Sequence, residues 1–147
     1  MPHLTLPITP NGGPLIDFVC GVSRPRAEAL KKAGLPVPAN INVKGLVDTG
    51  ASITSIDPSI LKALAVVSTG TIPLHTPSTK QGCPHVANQF DISLILVHTK
   101  AVRTWFALPV IEAELAHQGI HALIGRDVLR FCLMTYDGQA GTFALGF

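Results

Sequence analysis

A polar turn, Asp48-Thr49-Gly50-Ala51-Ser52, is set between two apolar runs, Ile41 to Val47 and Ile53 to Ile56. A short polar loop held by two buried strands confines its neighbourhood to β-structure, because buried backbone must find ladder partners while the loop stays at a surface. The composition agrees with that reading. There are 13 Gly and 12 Pro to interrupt regular structure, and only 14% of residues are charged, too few for long solvated helix faces. With 147 residues, 47% of them apolar, the chain can close one core, so residues 1–147 are expected to form one mostly β domain.

Turn signals divide the remainder. Leu4 to Ile8 and Leu15 to Val22 flank Asn11-Gly12, which predicts an opening β-hairpin. Ser23 is placed to cap a helix running to Ala33, stopped at Gly34. Asp57 is placed to cap a second helix, Pro58 to Leu64, with Ile60, Leu61 and Leu64 on its core side. Strands are predicted over Thr69 to Leu74, Phe90 to Val97 and Val102 to Leu108, the last closed by Pro109. Between the first two of these lies a polar hairpin tip. Glu112 to Gln118 reads as at most two helical turns, and Ala122 to Ile124 as a brief strand entering a turn at Gly125. A last hairpin, Cys132 to Tyr136 and Thr142 to Leu145, turns at Asp137-Gly138.

Several function classes are disfavoured. A net charge of +2 cannot build the positive field that nucleic acid recruits, and the four basic residues Arg24, Arg26, Lys31 and Lys32 read as a solvated helix face. No run approaches a membrane span and the start lacks an export pattern, so a soluble cytoplasmic protein without a membrane partner is expected. The three cysteines, Cys20, Cys83 and Cys132, are scattered, indicating neither a disulfide framework nor a zinc site. His117 and His121 have a helical ligand spacing that Gly119 interrupts. Neither metal nor cofactor is expected. Trp105 and the six phenylalanines read as core.

Alone, Asp48-Thr49-Gly50 is a tripeptide common in Asx turns. Its context is more specific, because it follows Leu46-Val47, precedes Ala51-Ser52-Ile53, and is answered downstream by Ala122-Leu123-Ile124-Gly125. GLVDTGASITSID followed by ALIGRDVL resembles the active-site loop and the apolar-apolar-Gly segment of retropepsin-like aspartic peptidases. The resemblance is close over residues 41–64 and 122–131 and unspecific elsewhere.

That resemblance implies an all-β fold, a closed retropepsin-like barrel with two or three short helices, active as a homodimer on polypeptide substrates. Peptide hydrolysis without a covalent intermediate needs one carboxylate and one carboxylic acid facing the same water. Two aspartates about 3 Å apart supply both, since like charges so close cannot both ionise cheaply. Their two titrations belong to the pair. None of Asp17, Asp57, Asp91, Asp127 and Asp137 lies in a comparable context, so the second carboxylate is expected from another copy of Asp48 across a two-fold axis.

By the same resemblance, Thr49 would brace the paired loops, Gly50 would donate its N–H to the carboxylates, and Ile124-Gly125 would pack beneath them. Thr76, Pro77, Ser78 and Thr79 would be substrate contacts in a flap. The strand Thr142 to Phe147, taken as a terminal edge, is the expected dimer sheet. Against this stands a different class of function, a non-catalytic module that keeps the fold for dimerisation or peptide binding.

Two departures carry consequences. Ala51 stands where many two-domain relatives carry a hydroxyl that stabilises the ionised aspartate, so activity is expected to peak nearer neutrality than in the pepsin-like enzymes. A pH–rate profile peaking well below pH 3 would count against that expectation. Ser52 replaces an acidic residue that pairs with the arginine matching Arg126 in viral relatives, which leaves Asp57 and Asp127 as candidate partners for Arg126.

Overall fold

The computed structural model describes residues 1–75 and 80–147. Its strands are β1 (His3–Pro7), β2 (Leu15–Val22), β3 (Ile41–Val47), β4 (Ser55–Ile56), β5 (Gly70–Leu74), β6 (His85–His98), β7 (Ala101–Glu112), β8 (Ala122–Ile124), β9 (Leu133–Asp137) and β10 (Thr142–Gly146). Three short helices, α1 (Arg24–Lys32), α2 (Pro58–Ala63) and α3 (Arg126–Leu129), lie between them. The main sheet runs β2-β3-β8-β4-β7-β6-β5, and an additional pairing of β2 with β6 closes six of these strands into a barrel. A second sheet, β1-β10-β9, packs alongside. The mostly β class and the closed barrel are as the sequence leads one to expect.

Alternation builds the core. In β2 the residues Ile16, Phe18, Cys20 and Val22 are buried, in β6 Ile92, Leu94 and Leu96, and in β10 Phe143 and Leu145. Each of the valine, leucine, isoleucine and phenylalanine side chains contributes about 1.5–3 kcal/mol of transfer free energy. Burial pushes the Cys20 thiol up to about 12, which makes it an inert packing residue.

Both larger helices begin where the cap residues place them. The Ser23 hydroxyl accepts from Arg26 N–H, and Gly34 follows α1 with φ +70°. Asp57, 3% exposed, accepts from Ser59 N–H at 2.9 Å and Ser59 Oγ–H at 2.6 Å through Oδ1. Its Oδ2 accepts from the N–H groups of Leu115 and Ala116, both at 2.8 Å. Burial would raise its pKa, but these four bonds favour the carboxylate more strongly and hold it well below the usual range. One side chain thereby starts α2 and ties the segment after β7 to it.

Several local expectations are corrected. β1 and β2 do not form a hairpin: the Thr9 to Gly13 turn is present, but β1 pairs with β10 and β2 with β3 and β6. Turn chemistry dictates a reversal, whereas sheet partners are chosen by the whole barrel. β6 begins at His85, not Phe90, because β5 supplies a ladder from Gly70–Gln89 to Leu74–His85. β7 continues through Pro109 to Glu112; β4 joins it only at Ile111 and Glu112, so the proline sits on a stretch that is free on that side. Residues 116–118 form a single 3₁₀ turn. β10 is no edge strand, since β1 and β9 flank it on both sides. Trp105 is only half-buried, and Phe106 and Phe131 are exposed beneath Arg24, Arg103 and Arg130 guanidinium groups.

Candidate active site

Parallel pairing of β3 with β8 sets Val47 beside Ile124, so the two strands deliver Asp48 and Gly125 at the same level of the barrel. The Asp48 N–H donates to the Ile124 carbonyl at 3.0 Å, which fixes the start of the loop. The loop then turns outward: Asp48 is half-buried, while Thr49 and Gly50 are exposed. Gly50 N–H donates to Asp48 Oδ1 at 2.9 Å, and a Cβ on Gly50 would lie 3.1 Å from that oxygen. The same bond forms in an ordinary Asx turn, so the surroundings of the loop, not the bond, set it apart.

Beneath the loop runs a network that ties it to α3. Asp127 Oδ2 accepts from Thr54 N–H at 2.9 Å, and Oδ1 accepts from Thr54 Oγ1–H at 2.7 Å and Val128 N–H at 2.9 Å. Thr54 Oγ1 in turn accepts from Gly125 N–H at 3.1 Å. Arg126 closes the frame. Its N–H donates to the Ala51 carbonyl, Nη1 to the carbonyls of Thr49 at 2.9 Å and Gly50 at 3.2 Å, and Nη2 to Ser52 Oγ at 3.2 Å. Neither Asp57 nor Asp127 pairs with Arg126, which corrects that expectation: Asp57 is held by α2 and Asp127 by Thr54. The guanidinium instead uses the loop's carbonyls and Ser52 as acceptors in place of a carboxylate.

Gly125 is required by space. Its φ of −88° suits any residue, but a Cβ there would lie 2.7 Å from Ile53 C and 2.9 Å from Ile53 O and Thr54 N. These are backbone atoms, which cannot swing aside. Gly125→Ala is expected to cost about 1–3 kcal/mol by overpacking. The check is urea unfolding, with a shifted midpoint at unchanged slope.

Asp48 lines a cleft of about 680 Å3 shared with Ile53, Leu74, His75, His85, Ile111, Glu112, Glu114 and Leu123. Leu74, His75 and His85 belong to the β5–β6 hairpin, so that hairpin forms one wall and the end of β7 another. The residues named as flap contacts, Thr76, Pro77, Ser78 and Thr79, lie outside the described residues. Of the other expected site residues, Thr49, Gly50, Ala51, Ile124 and Gly125 all belong to the loop or its support. Glu112, Glu114, His75 and His85 escaped the sequence reading. The i, i+2 spacing of the two glutamates, which puts them on one face of an extended segment, was the available signal.

The other described aspartates are engaged or remote. Asp17 pairs with Lys44, Asp137 accepts from Gln139 and Ala140 N–H, and Asp91 lines a separate hollow with Ser23 and Arg26. Among the described residues no group of three or more His, Cys, Asp or Glu is placed to hold a metal ion, and no helix is long and apolar enough to cross a membrane.

No family model and no curated protein matches this sequence. Solved structures do match. A retropepsin-like aspartic protease from Rickettsia conorii superposes with a TM-score of 0.59 at 12% identity, covering 99% of this chain and 91% of that one. The retroviral protease-like domain of Ddi1 from Leishmania major gives a TM-score of 0.39 at 15% identity, covering 86% of this chain and 83% of that one. The chain has the retropepsin-like fold.

Proposed function

We propose that this protein is an aspartic endopeptidase whose catalytic centre forms when two copies of the chain bring their Asp48 side chains together on a two-fold axis. The observation that carries the proposal is the placement of Asp48. The Asp48 carboxylate, on an exposed loop braced by Arg126 and Thr54, lines a cleft that has an apolar wall and is also lined by the β5–β6 hairpin. Asp57 and Asp127 are engaged by hydrogen bonds to other groups, which supports the reading that the second aspartate comes from an isologous dimer.

One proton shared between the two carboxylates lets the ionised member take a proton from water while the protonated member polarises the scissile carbonyl. Each Gly50 N–H steadies its own carboxylate. The exposed Thr49 is free to meet its symmetry mate and brace the pair. A polypeptide in extended form would lie along the cleft beneath the β5–β6 hairpin.

The test is cleavage of a mixed peptide library from about pH 3 to 7, with the oligomeric state followed by light scattering. Cleavage by a dimer, with specific activity falling on dilution into monomer, supports the shared-aspartate site. A folded dimer that binds peptides and cleaves none would make this a binding module.

A further inference from the structure

Resting on the reading that the Asp48 cleft takes polypeptide, we infer that Glu112 and Glu114 select a substrate with a lysine or arginine side chain beside the scissile bond. Both glutamates line the same cleft as Asp48, at the end of β7 and just beyond it. Glu112 is half-buried and receives a hydrogen bond from Asn88 Nδ2, which orients its carboxylate without neutralising it. Among the described residues the ion pairs are Arg24–Glu28 and Lys44–Asp17, so neither cleft glutamate is matched by a basic side chain. No Lys or Arg lines the cleft, and residues 76–79 contain none.

The remaining walls suit the stem of such a side chain. Ile53, Leu74, Ile111 and Leu123 present apolar surface next to the carboxylates. A lysine or arginine laid there buries its methylenes against them and keeps its charge at the acidic rim. An acidic substrate residue would meet Asp48, Glu112 and Glu114 together, and like charges at that range are repulsive. His75 and His85 also line the cleft.

The experiment compares two uncleaved peptides, identical except for lysine or norleucine at one position, binding to the Asp48→Asn protein at pH 8 by calorimetry. Using Asp48→Asn prevents turnover and removes that residue's own attraction for a cation. Peptides carrying the pair at each of four successive positions are measured. The expected result is that at one position lysine binds at least about tenfold more tightly, as one well-placed charge contact provides. In Asp48→Asn combined with Glu112→Gln and Glu114→Gln that ratio should fall to near one. A lysine-to-norleucine ratio near one at every position, or one that survives both glutamine substitutions, overturns the inference, and so does the absence of binding by any peptide. Wild-type cleavage is measured in parallel. Cleavage without lysine preference sinks the inference and leaves the peptidase reading standing; lysine-selective binding without cleavage does the reverse.

Discussion

Asp48→Asn is expected to lower kcat for peptide hydrolysis by at least about 10²–10⁴-fold, the usual worth of a positioned general acid or base. The variant should keep the fold and the oligomeric state of the wild type. The asparagine keeps an oxygen that can accept from Gly50 N–H, and the loop's other restraints do not involve the Asp48 side chain: they run from Arg126 to backbone carbonyls and Ser52, and from Thr54 to Asp127. What is lost, on the proposed mechanism, is the group that takes a proton from water. In the proposed homodimer both copies change at once, so neither an ionised nor a protonated partner would remain at the axis. The measurement is steady-state cleavage beside light scattering and circular dichroism. Wild-type rates in the variant would place the chemistry elsewhere in the cleft, with the Glu112–Glu114 wall the first place to look.

Asp57→Ala is expected to destabilise the protein by about 3 kcal/mol or more. An N-cap is worth about 1 kcal/mol, and each of the two further N–H donors left unpaired, at Leu115 and Ala116, costs about 1–3 kcal/mol. The sign of the pH dependence follows from the depressed folded pKa. Ionised Asp57 stabilises the fold fully above the unfolded carboxylate range near pH 4, and that stability is lost as pH falls through the lower folded value. Its slope is at most about 1.4 kcal/mol per pH unit for this one group. Urea midpoints from pH 6 down to 2 should therefore decline in wild type. In Asp57→Asn, which cannot ionise, they should start lower and decline less. A wild-type curve that is flat, or identical in slope to that of Asp57→Asn, would refute the assignment.

Losing Asp57 also bears on the cleft. Leu115 follows directly on Glu114 and lies three residues after Glu112, so the Asp57 carboxylate anchors the segment that carries both glutamates. Peptide affinity should weaken in Asp57→Ala even where the protein is still folded.

Where the sequence was legible, it was so because local physics and final structure agree. Ser23 and Asp57 begin helices in almost any context, since a side-chain acceptor at the first turn needs nothing distant. Alternation in β2 and β3 marks a strand with one buried face wherever it pairs. Asp48, placed between two apolar runs and echoed by Ile124-Gly125, marked both the loop and its support. Gly125 could be singled out for its lack of a side chain, though the atoms that demand it, Ile53 C, Ile53 O and Thr54 N, come from a distant stretch of chain.

The errors share one cause. An Asn-Gly turn predicts a reversal, and the reversal occurs, but which strands pair depends on what else competes for each edge. β1 is joined to β10 from the far end of the chain, and β10 thereby loses the free edge that its terminal position suggested. Arg126 likewise finds its partners by fold and not by charge. Asp57 and Asp127 are engaged by other donors, and loop carbonyls of Thr49 and Gly50 lie within reach. The sequence by itself determined the strand-rich class, the helix starts and the Asp48 carboxylate on a turn between two apolar runs, because each depends on neighbours a few residues away. Only the tertiary structure decided the barrel's closure through β2 and β6, and the meeting of Asp48, the hairpin and Glu112–Glu114 in one cleft. Contacts between residues so far apart in the chain follow from the global packing of sheets, which no local pattern encodes.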